Sequence, residues 1–164
     1  MSADLVKKIR FNLEDLAMIE EQMRPLTTLP PDATPGAIET AAACAMLHSF
    51  YSEIEKILKI IARDWDGQIP ASDAWHKELL NQMAEPTARR PAILPSALVE
   101  TLSEFLAFRH LFRGASIALM RWAKLRPLLA KVSITYDQTT MAIEEFIRFA
   151  ETRPIGSDAP GREF

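Results

Sequence analysis

Prolines divide this 164-residue chain into segments whose apolar residues recur every three or four positions. That spacing puts apolar side chains on one face of an α-helix, and no segment shows the sustained alternation of a β-strand. We therefore predict an all-α fold, a four- to five-helix up-down bundle in a single domain. The bundle is assigned to residues 1–153. Residues 154–164 hold two glycines and two prolines, and we predict a flexible tail there.

Helix bounds follow from the apolar stripes and from the residues that start or stop a helix. Pro25 is expected to end the first helix because it has no N–H to donate. Thr34 is expected to cap the second helix, with Pro35 at its first helical position. The buried stripe predicted for that helix is Ile38, Ala41, Ala45, Ile54, Ile57, Leu58 and Ile61. Five helices are predicted, at about residues 3–24, 35–64, 73–83, 96–114 and 124–151.

Cysteine content and the distribution of charged residues bear on the compartment. Cys44 is the single cysteine, so it cannot form an internal disulfide, which favours a reducing environment. Residues 1–23 mix charged and apolar side chains, unlike a signal peptide. The longest run without an acidic or basic residue is 40–52, which is shorter than a membrane span. We predict a cytoplasmic protein without a membrane segment.

The net charge of −3 is unevenly distributed. Residues 86–131 carry eight basic and two acidic residues, a balance of +6, whereas the rest of the chain has a balance of −9. If folding gathers those basic residues on one surface, that surface attracts anions such as nucleic acid. If folding scatters them, the asymmetry has no such meaning, and the sequence leaves both outcomes open.

Two arginines within the basic region have a spacing that suits a phosphate. Arg109 and Arg113 are one helical turn apart and therefore lie on the same stripe of a helix. Guanidinium groups bind phosphate oxygens through paired, charge-assisted hydrogen bonds. His110 is the residue nearby that titrates close to neutrality, so it could transfer a proton. The arginines could equally pair with acids of the second helix, and His110 could be a packing residue.

The second predicted helix carries a polar stripe formed by His48, Ser52, Glu55 and Lys59. If this stripe faces Arg109, then Glu55 could orient the arginine or position a proton donor. The stripe could also be an ordinary solvated face, which is its commoner meaning.

No metal site or cofactor is predicted from the sequence. The three histidines, His48, His76 and His110, lack the spacing of metal ligands, and so does the single cysteine. Gly67 and Gly114 stand alone, so there is no glycine-rich phosphate loop.

The run Arg109-His110-Leu111-Phe112-Arg113-Gly114-Ala115-Ser116 resembles the Arg-x4-His-x-Tyr signature of the HepT-like branch of the HEPN superfamily. Arg109 matches the motif arginine, and Glu55 matches an acidic position on the family's second helix. The motif histidine falls at Gly114 and the motif tyrosine at Ser116. The similarity covers about residues 37–129. The other segments that follow in the family's order are Leu47 to Leu58, Trp75 to Leu80, Arg90 to Leu94, and Trp122.

The resemblance implies a helical homodimer whose paired motif helices form an RNA-cleaving cleft. It also implies a toxin that is controlled by an MntA-type nucleotidyltransferase antitoxin, which transfers AMP to the motif tyrosine. Arg109, His110 and Glu55 are the catalytic candidates, and Arg109 and Arg113 are the candidate RNA-phosphate ligands. Our leading hypothesis is an RNA-binding member whose ribonuclease activity is weakened or lost. The alternatives are a noncatalytic protein partner of a nucleotidyltransferase and an active ribonuclease that uses His110 as its base.

Overall fold

Six α-helices make up most of the computed structural model, which describes residues 2–114 and 116–153. No β-strand occurs in these residues, so the predicted all-α bundle is confirmed. The predicted tail, residues 154–164, lies outside the described part. No helix in the described ranges is long and apolar enough to cross a membrane. The helices are α1 (Ser2–Thr27), α2 (Ala37–Ile61), α3 (Trp75–Ala84), α4 (Ser96–Gly114), α5 (Trp122–Leu129) and α6 (Val132–Thr152).

The four long helices, α1, α2, α4 and α6, form the up-down bundle. Near the start of α1, Arg10 donates to Glu144 of α6 at 3.1 Å. Farther along α1, Glu20 accepts a hydrogen bond from Ser133, at the start of α6, at 3.0 Å. Residue numbers therefore rise along α1 as they fall along α6, which makes the two helices antiparallel.

The core lies between α2 and the helices around it. Phe50 of α2 and Phe105 of α4 are fully buried, and their ring centroids are 5.4 Å apart. Trp65 meets the edge of Phe146 of α6 at 5.4 Å. Each large apolar side chain buried in this way contributes about 1.5–3 kcal/mol. His48, before Phe50 on α2, packs on Phe112, which comes after Phe105 on α4, so the two helices run antiparallel.

The predicted end of α1 at Pro25 is wrong, because the helix continues to Thr27. Proline removes one N–H from the hydrogen-bond ladder, but the rest of the last turn can still close. The carbonyl of Arg24 accepts the backbone N–H of Thr28 at 3.0 Å and its hydroxyl at 2.6 Å. These bonds hold the turn that contains Pro25.

The predicted start and buried face of α2 are also wrong in the first half of the helix. Gly36, not Thr34, is the N-cap residue. Ile38 is 83% exposed, and Ala45 is exposed as well. The alanine-rich sequence offers apolar residues on every side, so periodicity cannot choose a face there. The residues that α2 buries in this half are Thr40, Ala43, Cys44 and Leu47, whereas Ile54, Ile57, Leu58 and Ile61 are buried as predicted.

The predicted fifth helix, residues 124–151, is two helices, α5 and α6, separated by a turn at Ala130 and Lys131. Ala130 donates its backbone N–H to Arg126, and Lys131 donates its own to Leu128, which closes the end of α5. The two halves pack on different partners, α5 on α2 and α6 on α1 and α4. A single straight helix could not make both contacts.

Helix α2 continues into a π-helical turn, Ala62–Asp66, that ends at Gly67. Gly67 has a φ of 82°, in the left-handed region that favours glycine, and Gln68 donates its N–H back to Ala62 at 3.0 Å. The wide turn buries Trp65 and directs Asp66 toward the loop that follows α3. Periodicity predicts an ordinary helix here and gives no sign of the wider turn.

Replacing Gly67 with alanine is expected to lower the free energy of unfolding by about 1 kcal/mol, because a Cβ disfavours the left-handed backbone. Nothing lies within 4 Å of the added Cβ, so the cost comes from the backbone alone. Gly114 is the matched control, since its position is equally open but its φ is not positive. Gly114→Ala should leave stability unchanged or raise it in the same urea titration. Equal destabilisation by both variants would contradict the view that the cost arises from the left-handed backbone at Gly67.

Candidate functional site

Three helices bring together one acidic and two basic side chains, Glu55 of α2, His76 of α3 and Arg109 of α4. His76 Nδ1 lies 2.5 Å from Glu55 Oε2. Arg109 Nη2 lies 3.7 Å from Glu55 Oε1, and Arg109 Nη1 lies 3.5 Å from His76 Nε2. We call these three residues the central cluster. Two of them, Glu55 and Arg109, are site residues suggested by the sequence, and the third is not.

The antiparallel packing of α2 and α4 accounts for the meeting of Glu55 and Arg109. Ser52, one turn before Glu55, accepts a hydrogen bond from Arg109 Nε at 3.4 Å. The polar stripe of α2 therefore faces α4 at this level and is not an ordinary solvated face. Helix α3 places His76 within its first turn, where Ser72 accepts the N–H of Ala74 at 3.1 Å.

The partners of His76 determine which ring nitrogen carries the proton. A guanidinium can only donate, so the nitrogen that faces Arg109, Nε2, is assigned as an acceptor. The proton then belongs on Nδ1, which donates to Glu55. The imidazole thus keeps a free electron pair on the nitrogen next to the guanidinium.

Burial strengthens the interactions within the central cluster. The side chains of Glu55, His76 and Arg109 are 7%, 12% and 14% exposed. At this depth solvent screens charge less than at an open surface, and a carboxylate requires partners to compensate for its lost hydration. Each of the basic side chains still has part of its surface exposed to solvent.

Aromatic and basic side chains border the cluster. The Trp75 ring stacks on His76 with a centroid distance of 3.6 Å and an interplanar angle of 28°. Lys59 Nζ lies 4.9 Å from the centroid of the Trp75 ring, on its face. His110 is exposed, and its ring meets His76 edge to face at 5.3 Å. Two imidazoles therefore lie side by side next to Arg109.

Two further titratable groups near the cluster are kept neutral by their surroundings. Burial and the negative charge of Glu55 raise the pKa of Tyr51, and the charge of Arg109 opposes them only in part. The Tyr51 hydroxyl is buried and has no hydrogen-bond partner among residues 2–114 and 116–153. Burial, followed by the positive charges of Arg109 and Arg113, lowers the pKa of His48, whose ring packs on Phe112. His48 is therefore a neutral packing residue at neutral pH.

Arg113 lies one turn beyond Arg109, on the exposed end of α4, and forms no ion pair with any described residue. Gly114 ends the helix, and nothing lies within 4 Å of a Cβ built on it. Ser116 follows in an extended conformation and is exposed. The two positions where the motif histidine and tyrosine would fall are thus open.

The basic residues between 86 and 131 do not form a single surface. Arg90 is fully buried and paired with Asp66 at 2.7 Å, which neutralises it. Lys131 pairs with Glu104 at 2.5 Å. Folding therefore scatters Arg90 and Lys131, which is one of the two outcomes that the sequence left open. Arg109 and Arg113, in contrast, lie together at the central cluster.

The sequence did not indicate His76 as a site residue, because this histidine was weighed only as a metal ligand. A signal was present, since Trp75 and His76 open a segment that follows the family's order. Linear spacing cannot reveal that the first turn of α3 meets α2 and α4. Within the described ranges, no three His, Cys, Asp or Glu side chains are grouped so that they could hold a metal ion.

A family model described as "HepT-like protein" matches residues 42–150. The matched segment runs from the first half of α2 almost to the end of α6 and includes the whole central cluster. No curated protein and no solved structure matches the chain.

Proposed function

The chain belongs to the HepT-like family, and from that premise we propose that it binds RNA through phosphate contacts to Arg109 and Arg113. We further propose that it acts in a toxin–antitoxin pair with an MntA-type nucleotidyltransferase. In this proposal, cleavage by the family's motif is weakened or lost, because Gly114 has no side chain that could transfer a proton. Cys44 is the single cysteine, and on that basis we assign the activity to the cytoplasm.

The charge of Arg113, which has no ion pair within the described part of the chain, is the observation that supports RNA binding most directly. An arginine without an acidic partner can donate hydrogen bonds to a phosphate without first breaking an ion pair. Arg109 lies on the same stripe, and its guanidinium is oriented by Ser52 and Glu55. Lys59 also lies at the border of the cluster, where its charge suits a backbone phosphate.

Arg113→Ala and Arg109→Ala are each expected to weaken RNA binding about 10-fold or more, because a hydrogen bond to a charged group contributes about 1.5–3 kcal/mol. Fluorescence anisotropy with a single-stranded oligonucleotide would measure the change in Kd. Each variant should also reduce the dependence of log Kd on log salt concentration by about one unit. Arg148→Ala, an exposed arginine on α6 without an ion pair in the described part, is the matched control. Equal weakening by all three variants would refute a specific phosphate site.

Exposed apolar side chains next to the motif support a protein partner as well. Leu111 and Leu119 are 53% and 78% exposed, on either side of Gly114. Such side chains are typical of surfaces that a second protein covers. We propose that they contribute to the homodimer, to contact with the nucleotidyltransferase, or to both. If the chain is a noncatalytic partner only, a purified nucleotidyltransferase encoded next to it should bind it without RNA, and RNA should not compete.

A further inference from the structure

The central cluster contains a proton-transfer group that the degenerate motif does not supply. We infer that His76, oriented by Glu55, is the general base of an RNA-cleaving site in which His110 is the general acid and Arg109 binds the phosphate. This inference rests on the proposed RNA binding at Arg109 and Arg113. It places a proton-transfer group on α3, because Gly114 of α4 has no side chain that could transfer a proton.

The contact between Glu55 and His76 has the geometry of a carboxylate that orients a catalytic imidazole. Glu55 accepts the Nδ1 proton at 2.5 Å and so fixes the tautomer, which leaves Nε2 as the basic nitrogen. The Trp75 ring stacks on His76 and fixes the plane of the imidazole. The side chain is 12% exposed, so part of it remains open to a ligand.

Arg109 brings a phosphate to the same nitrogen. Its Nη1 lies 3.5 Å from His76 Nε2, a long and therefore weak contact that a ligand can replace. A phosphodiester bound by the guanidinium would have its adjoining ribose next to Nε2. The 2′-hydroxyl of that ribose is the group that a base must deprotonate for metal-independent cleavage of RNA.

The reaction balances with the groups present. Nε2 of His76 takes the proton of the 2′-hydroxyl, and the 2′-oxygen attacks the adjacent phosphorus. The bond between phosphorus and the 5′-oxygen breaks, and that oxygen takes a proton from protonated His110. Arg109 offsets the negative charge that develops on the phosphorane. The products end in a 2′,3′-cyclic phosphate and a 5′-hydroxyl, and exchange with water restores both imidazoles.

His110 is suited to the acid role by its place beside His76. The two ring centroids are 5.3 Å apart, and the exposed His110 ring can turn toward a bound phosphodiester. A base and an acid on two separate imidazoles can act on the attacking and the leaving oxygen of one phosphate. His48 cannot take this part, because its ring packs on Phe112.

The decisive variant is His76→Gln in the full chain. Glutamine can still donate a hydrogen bond to Glu55 but cannot accept the 2′-hydroxyl proton. Cleavage of a single-stranded RNA should fall about 100-fold or more, whereas Kd for the matching 2′-O-methyl RNA should change less than about threefold. His48→Gln, which removes a histidine that packs on Phe112 and has no part in the proposed reaction, should retain full cleavage. The unaltered protein should leave 2′,3′-cyclic phosphate ends.

Glu55 is a positioning residue, and a second variant tests its role. Glu55→Gln should reduce cleavage about 10-fold while RNA binding stays equal or becomes tighter, because a negative charge beside Arg109 has been removed. Opposite changes in cleavage and binding would not follow from a general loss of structure. Glu55→Asp should restore part of the cleavage. Parallel loss of binding and cleavage in Glu55→Gln would overturn the positioning role.

The failures of the two proposals can be told apart. RNA that is bound through Arg109 and Arg113 but never cleaved by the unaltered protein would overturn the His76 inference and leave the proposed function standing. Cleavage that is undiminished in His76→Gln would also overturn the inference. Absence of RNA binding would overturn both proposals. Thermal unfolding of each variant, followed by circular dichroism, confirms that the compared proteins are folded.

Discussion

Replacing Arg90 with alanine is expected to lower the free energy of unfolding by about 3–5 kcal/mol, because it leaves a buried carboxylate without its cation. The Arg90 side chain is fully buried, and that of Asp66 is 6% exposed. Nε and Nη2 of the arginine donate to the two Asp66 oxygens at 2.8 and 2.7 Å. The same guanidinium also donates to the backbone carbonyls of Gln82, Glu85 and Pro91 at 3.0–3.1 Å. One side chain thus joins the π-helical turn after α2 to the loop after α3.

Urea titration would measure this loss, and the neighbouring residue supplies the control. Arg89 is exposed and contributes only backbone atoms to the hydrogen bonds of this region. Arg89→Ala should therefore change the free energy of unfolding by less than about 0.5 kcal/mol. The combined variant Asp66→Leu, Arg90→Met should recover part of the loss, since it leaves no unpaired charge in the interior. Equal stability of Arg89→Ala and Arg90→Ala would contradict a buried ion pair.

The double substitution Gly114→His, Ser116→Tyr is expected to raise RNA cleavage about 100-fold or more, which is the usual contribution of a positioned general acid or base. The substitution restores the two motif residues that are missing. A Cβ at Gly114 meets nothing within 4 Å, and the backbone there is not in the left-handed region, so a side chain can be added without backbone strain. Cleavage of single-stranded RNA by purified protein, and growth after expression, would measure the gain.

The shape-matched control is Gly114→Gln, Ser116→Phe, which adds similar bulk without a titratable group. This control should cleave RNA no faster than the unaltered protein. The restored motif should also raise cleavage when His76 is glutamine, because the two proton-transfer groups are independent in our proposals. If the double variant folds but cleaves RNA no faster than the unaltered protein, Arg109 does not act together with the restored histidine and tyrosine.

How far the site could be predicted depends on whether its residues lie on one helix or on several. Arg109 and Arg113 share a helix, so their spacing alone predicts that they lie on one stripe. Glu55 was suggested by resemblance and by the polar stripe of α2, but only on the condition that the stripe faced α4. His76 could not be assigned, because its meeting with Glu55 depends on how the loop after α2 returns the chain to α3.

The basic region between residues 86 and 131 illustrates the same limit. Counting charges treats Arg89 and Arg90 alike, yet one is exposed and the other is fully buried with Asp66. Local sequence contains no signal that separates two adjacent arginines in this way. The difference arises because Asp66 is placed by a π-helical turn that periodicity does not predict.

By itself the sequence determined the helical class, the number of long helices and the loss of the motif histidine and tyrosine at Gly114 and Ser116. Those properties depend on periodicity, on prolines and on residue identity, which are local. Only the tertiary structure decided which face α2 buries, that α5 and α6 are separate helices, and that His76 joins Glu55 and Arg109. The reason is physical: contacts between helices depend on packing across the whole bundle, and residues distant in the chain meet only when every intervening turn is in place.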